Sequence, residues 1–134
     1  MSQRARILLK EFGITQNVPD MEFNNDGVCS FLIDDEYDIT LIADKDEKIY
    51  AYAVLANATI EEANQYALVL LSANTYLFGS SQISCCYESQ SQAYILMKTI
   101  DLDLVTANTI ENCIDKLIEA IKSIRETLNT LDNQ

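Results

Sequence analysis

Three short runs of strand character, separated by two charged turns, constrain this chain more than any other feature. Val28 to Ile33 is rich in β-branched and aromatic residues. Tyr37 to Ala43 alternates, with Ile39 and Leu41 on one side and Asp38 and Thr40 on the other. Ile49 to Leu55 alternates again, setting Tyr50, Tyr52 and Val54 against Ile49, Ala51, Ala53 and Leu55. The links are Asp34-Asp35-Glu36 and Asp44-Lys45-Asp46-Glu47. Links this short cannot carry a crossover, so neighbouring strands run antiparallel. The rest of the chain must cover such a meander.

Helical periodicity supplies the cover. Ser2 to Phe12 reads as a short helix through Ile7, Leu8 and Phe12, with Gly13 placed to end it. Thr15 to Asp26 is polar, holds the single proline, Pro19, and reads as a loop. Thr59-Ile60-Glu61-Glu62 has the spacing of a capping box. It opens a helix through Ile60, Ala63, Ala67, Leu70, Leu71 and Asn74 that Gly79 is expected to stop. The run Leu68 to Leu71 makes that helix apolar over more than one face. One side can lie on the chain's own sheet and the other on a second subunit. Gln82 to Tyr87 and Ala93 to Ile100 read as a hairpin across Glu88-Ser89-Gln90-Ser91. A last helix from Thr109 to Leu128 carries an apolar stripe of Ile110, Cys113, Ile114, Leu117, Ile121, Ile124 and Leu128. The tail, Asp132 to Gln134, is expected to fray. The order is α-β-β-β-α-β-β-α, an α+β fold with helices packed on an antiparallel sheet. Its length of 134 residues fits one domain.

Charge and residue usage exclude several functions. There are 21 acidic residues against 9 basic ones, a net charge of −12. Phosphate backbones and anionic membrane surfaces repel such a chain, and a basic partner is steered toward it. Solubility is a second, compatible use of the same charge. There is no histidine, which removes Ser-His-Asp and Cys-His nucleophiles and most zinc sites. Three scattered glycines cannot cradle a phosphate. Asp34, Asp35, Glu36 and Asp38 lack the alternation and the glycine of a calcium loop and read as a solvated turn. Neither a metal nor a cofactor is expected. Lys98 and the cysteines are the only imaginable nucleophiles, and nothing nearby in the sequence activates them. No apolar run reaches membrane-spanning length, and Met1 to Lys10 lacks the apolar stretch of a signal peptide. A cytoplasmic protein is expected, with Cys29, Cys85, Cys86 and Cys113 as thiols. Cys85 and Cys86 are adjacent on a strand and so should face opposite ways. The apolar strands Val28 to Ile33 and Ile49 to Leu55 either have helices on both faces or expose one face to a ligand.

These elements resemble the class I type III secretion chaperones, the CesT or Tir-chaperone family. The resemblance rests on Leu8, Leu9 and Phe12-Gly13 in the opening helix, and on Asp26-Gly27-Val28-Cys29-Ser30-Phe31 at the first strand. It extends to Ile49–Leu55 with Ala56, and to Leu70-Leu71-Ser72-Ala73-Asn74 with Gly79. Ser80-Ser81 and Cys85-Cys86 depart from the family's glycine and acidic residues there. The resemblance implies a homodimer that holds the N-terminal segment of a secreted effector in extended form, without ATP and without catalysis. It implies dimer contacts through the central helix and following strand, at Tyr66, Leu70, Asn74, Ile83, Cys85 and Tyr87. It implies an effector groove at Leu8, Phe12, Val28, Ser30, Phe31 and Ile39. A one-residue slip in strand register would swap the faces of these residues. The competing reading is an acidic inhibitor or immunity protein that binds a folded basic toxin or enzyme.

Overall fold

The computed structural model describes residues 3–45, 48–102 and 108–132. Helix α1 spans Gln3–Thr15, strands β1 to β3 span Val28–Ile33, Tyr37–Ala43 and Lys48–Asn57, and α2 spans Ile60–Asn64. Helix α3 spans Ala67–Ser81, β4 Ser84–Glu88, β5 Ala93–Asp101 and α4 Thr109–Asp132. The strands form one antiparallel sheet in the order β1-β2-β3-β5-β4. The meander is therefore as the charged turns require. Asp34 and Asp35 both take positive φ, 54° and 55°, and the Glu36 amide donates to the Ile33 carbonyl at 3.1 Å. That is the turn whose twist matches a tight hairpin. Asp46 and Glu47 of the second turn lie outside the described residues, as do Met1, Ser2, Asn133 and Gln134.

One sheet face makes the core. Ile39, Leu41, Ile49, Ala51, Ala53, Leu96 and Cys85 share it in register and are buried. Helix α4 packs on β3 and β5, and α1 packs beside α4. Leu9, Leu117 and Ile121 are fully buried there. Each such side chain contributes about 1.5–3 kcal/mol by leaving water. The ring of Phe12 lies 5.6 Å from that of Phe31, joining α1 to β1.

Both expected glycine stops are displaced. Helix α1 runs through Gly13 to Thr15. A Cβ on Gly13 would stand 2.5 Å from the Val18 carbonyl oxygen and 2.9 Å from Met21 Cβ. Gly13 is there because the following loop folds back onto the helix. Helix α3 likewise runs through Gly79 to Ser81 and ends at Gln82, in the left-handed region at φ 56°. The single helix expected from Thr59 onward is two. The capping box forms, with the Glu62 amide on Thr59 Oγ1 at 3.3 Å and the Thr59 amide on Glu62 Oε1 at 3.1 Å. Helix α2 then closes after one turn, and the chain re-enters a helix after Tyr66, whose ψ of 7° is not helical.

Candidate functional site

The second face of the sheet is built of the residues that alternate with the core. Val28, Ile42, Tyr50, Tyr52, Val54, Ile95, Met97 and Cys86 stand on it by register, and all are only half-buried. Two adjoining hollows indent it. One, of about 530 Å³, is walled by Ile42, Tyr52, Val54, Cys86, Ile95 and Met97. The other, of about 490 Å³, lies between Tyr50, Tyr52, Met97 and Phe78 of α3. This half-buried apolar face lies beside an acidic rim of Asp38 and Glu88, and apolar patches of this kind are commonly covered by a partner.

Helix α3 lies along β4, at the end of the sheet. Its carboxamide Asn74 and side chains Leu70 and Leu77 face the protomer; Leu68 and Leu71 point away and are 80% and 63% exposed, and Phe78, 64% exposed, stands at the edge between this side and the second hollow. None of the fifteen residues of α3 is charged. The helix therefore has the two apolar sides that the Leu68–Leu71 run implies.

The residues expected at the effector groove divide between the two sheet faces. Val28 and Ser30 stand on the accessible face, with the Ser30 hydroxyl 2.9 Å from that of Thr40. Leu8, Phe12 and Ile39 are buried in the core, and Phe31 is half-buried beneath Phe12. The period-two pleat separates Ser30 from Phe31, and Thr40 from Ile39. Of the residues expected at the dimer contact, Leu70, Asn74, Ile83 and Cys85 lie where α3 meets the protomer's own sheet, whereas Tyr66 ties the start of α3 to α4 and Tyr87 ties β4 to the link after β3. Leu70, Ile83 and Cys85 are buried. Asn74 holds Cys85, Tyr87 donates to the Ala58 carbonyl at 2.7 Å, and Tyr66 donates to Asp132. The side chains missed by sequence reasoning are Ile42, Tyr52, Ile95 and Met97 on the open face and Phe78 on α3. The alternation of Tyr50, Tyr52 and Val54 already pointed to the face they share.

The titratable groups here lack the marks of a nucleophile. Burial raises all four thiols, pushing Cys85 and Cys113 up to about 11, so each is protonated at neutral pH. Burial lowers the Lys98 ammonium, which donates to the Ser81 carbonyl. Among the described residues, no group of three or more His, Cys, Asp or Glu could hold a metal, and no helix is long and apolar enough to cross a membrane.

Comparison with known proteins fits this geometry. The Tir chaperone of Citrobacter freundii is 31% identical over all of this chain and 88% of its own length. The Tir chaperone of Escherichia coli O157:H7 is 30% identical over the same shares. Among solved structures, a chain of the HopA1–SchA chaperone–effector complex superposes with a TM-score of 0.77 at 18% identity, over 92% of this chain and 94% of its own. A chain of the ExsC–ExsE complex gives 0.74 at 17% identity, over 90% and 92%. These two establish the fold. The profile of the Tir chaperone protein (CesT) family matches residues 7–125, and the chain belongs to that family.

Proposed function

We propose that the chain is an ATP-independent type III secretion chaperone of the bacterial cytoplasm, without enzymatic activity, whose client is the N-terminal segment of a secreted effector. Family membership and relatives known as Tir chaperones support the class. The observation that carries the reading is the open apolar face formed by Ile42, Tyr52, Val54, Ile95 and Met97. An unfolded segment can bury apolar side chains in its two hollows. It can also add a strand at β1, an outer strand of the sheet. The opposite outer strand, β4, has its free side taken up by Asn74 at Cys85. Val28 and Ser30 fall on the client surface in this reading; Leu8, Phe12, Phe31 and Ile39 support it from the other side of the sheet.

The working unit is a homodimer. Its contact is the exposed, charge-free side of α3, carried by Leu68, Leu71 and Phe78. Leu70, Asn74, Ile83 and Cys85 hold that helix against the sheet and Tyr66 ties its start to α4, while Tyr87 braces β4. The net charge of −12 keeps other copies apart and favours client segments with basic residues.

The test is co-purification from the native host, with mass spectrometry of the partner and light scattering of the complex. The expected result is a secreted protein held through its N-terminal region by two copies of this chain. Capture of a folded basic enzyme through its catalytic domain would replace this reading with that of an inhibitor.

A further inference from the structure

Gly79 sits inside α3, two residues before its end at Ser81. Glycine weakens a helix interior relative to alanine, so its presence there calls for a reason. The protomer supplies none. A Cβ built on Gly79 meets no atom within 4 Å, and its φ is not positive. Gly13 is the contrast, because there the chain's own loop fills the space of a side chain.

At about 100° per residue, Leu68, Ser72, Thr75 and Gly79 run in one line along the exposed side of α3. All four are exposed. Leu71 and Phe78 form a raised edge on one flank, and Val69 and Tyr76 on the other, with Tyr76 72% exposed. From Ser72 to Gly79 the face is thus a shallow channel between two apolar ridges, closed at one end by Leu68 and deepest at Gly79. A channel between ridges is what one helix offers to the ridge of another, and small side chains at the crossing bring the axes closer.

We infer that Gly79 is the point of closest approach between α3 and the α3 of a second copy of this chain. This rests on the dimer proposed above and adds where and how the two helices cross. Charge argues for a second copy over any other occupant. Two copies at −12 each repel, and α3 alone among the four described helices carries no charge. In a two-fold contact the same patch of each copy meets the other, so a neutral patch is where like-charged copies can join. A client segment with basic residues would prefer the acidic rim to this neutral face.

The experiment is sedimentation equilibrium of the full chain, wild type against Gly79→Ala and Gly79→Leu, with far-ultraviolet circular dichroism as the check on folding. Alanine favours the helix and its Cβ has open space in the protomer, so Gly79→Ala folds. The expected result is a dimer dissociation constant raised about tenfold by alanine and about a hundredfold or more by leucine, with helicity unchanged or higher. A wild-type dimer left equally tight by both substitutions would overturn the crossing at Gly79 while keeping the dimer. A wild type that stays monomeric at all concentrations would overturn the dimer itself and the crossing with it.

Discussion

Asn74 and Cys85 meet as a closed pair. The Cys85 amide donates to Asn74 Oδ1 at 2.6 Å, and Asn74 Nδ2 donates to the Cys85 carbonyl at 3.1 Å. A carboxamide has one acceptor and one donor set at the spacing of a peptide edge, so it can stand in for a neighbouring strand. Here it caps the outer edge of β4 and fastens α3 to the sheet. An uncapped edge invites pairing with other chains.

Asn74→Ala is therefore expected to leave a half-buried amide and carbonyl without partners. The cost should be about 1–3 kcal/mol in urea unfolding. Asn74→Asp is expected to cost as much, because a carboxylate can accept from the Cys85 amide but opposes its carbonyl. If either variant unfolds at the wild-type midpoint, the pair is incidental to the docking of α3.

A second lock sits at the bulge in β3. Register shifts between Val54 and Ala56, which leaves the Leu55 carbonyl outside the ladder. Arg125 of α4 donates to it from Nη2 at 3.1 Å and Nε at 3.3 Å, and its guanidinium lies 5.8 Å from the Tyr37 ring centre. The same side chain meets Glu36 at 3.4 Å, an exposed pair. The forked contact requires a guanidinium, so Arg125→Lys should lose nearly as much stability as Arg125→Ala, about 1–2 kcal/mol. Glu36→Gln should change it by under about 0.5 kcal/mol, since exposed ion pairs are worth little. Thermal unfolding of the three variants separates these effects.

Strand faces were legible in the sequence because a period of two has only two phases. Tyr50, Tyr52 and Val54 alternate with Ile49, Ala51 and Ala53, and the two sets do occupy opposite faces. Cys85 is buried and Cys86 half-buried for the same reason. Which phase faces out was not legible where both are apolar, as in Val28 to Ile33. That is why Phe31 and Ser30 are expected together at one groove yet lie on opposite faces. The phase of α3 was hidden too, because it is apolar nearly all round. Leu70 and Leu71 are neighbours in sequence, yet one is 2% and the other 63% exposed. Sequence pattern makes Gly13 and Gly79 helix stops, whereas the left-handed residue that ends α3 is Gln82. A contact that excludes a side chain and a turn that needs positive φ both select glycine, and only three dimensions tell them apart.

The buried thiols give the fold an alkaline limit. Cys85 and Cys113 have pKa values raised from the usual 9.0 to about 11, both chiefly by burial. A group raised on folding supports the folded state below its unfolded pKa, and that support is lost as pH rises through the folded value. Stability should therefore fall between about pH 9 and pH 11. Cys113→Ala should flatten that fall, measured as the urea midpoint against pH. An identical slope in the variant would show that other groups set the limit.

The client surface can be tested without disturbing the core. Tyr52 walls both hollows of the open face, and Ile95, opposite Val54, lies diagonally across the ladder from it. Both are half-buried, so Tyr52→Ser and Ile95→Ser remove apolar surface that the protomer does not itself enclose. Stability should fall by about 1 kcal/mol or less for each. Recovery of the co-purified effector should fall at least about tenfold, because apolar anchors in pockets carry most of the energy of such contacts. The dimer should persist, since neither residue belongs to α3. Ile39→Ser on the opposite face should do the reverse. It buries a hydroxyl in the core and should destabilise the fold by several kcal/mol before any binding is measured. Should Tyr52→Ser and Ile95→Ser retain full effector recovery, the client lies along the β1 edge or α1 instead of on the open face.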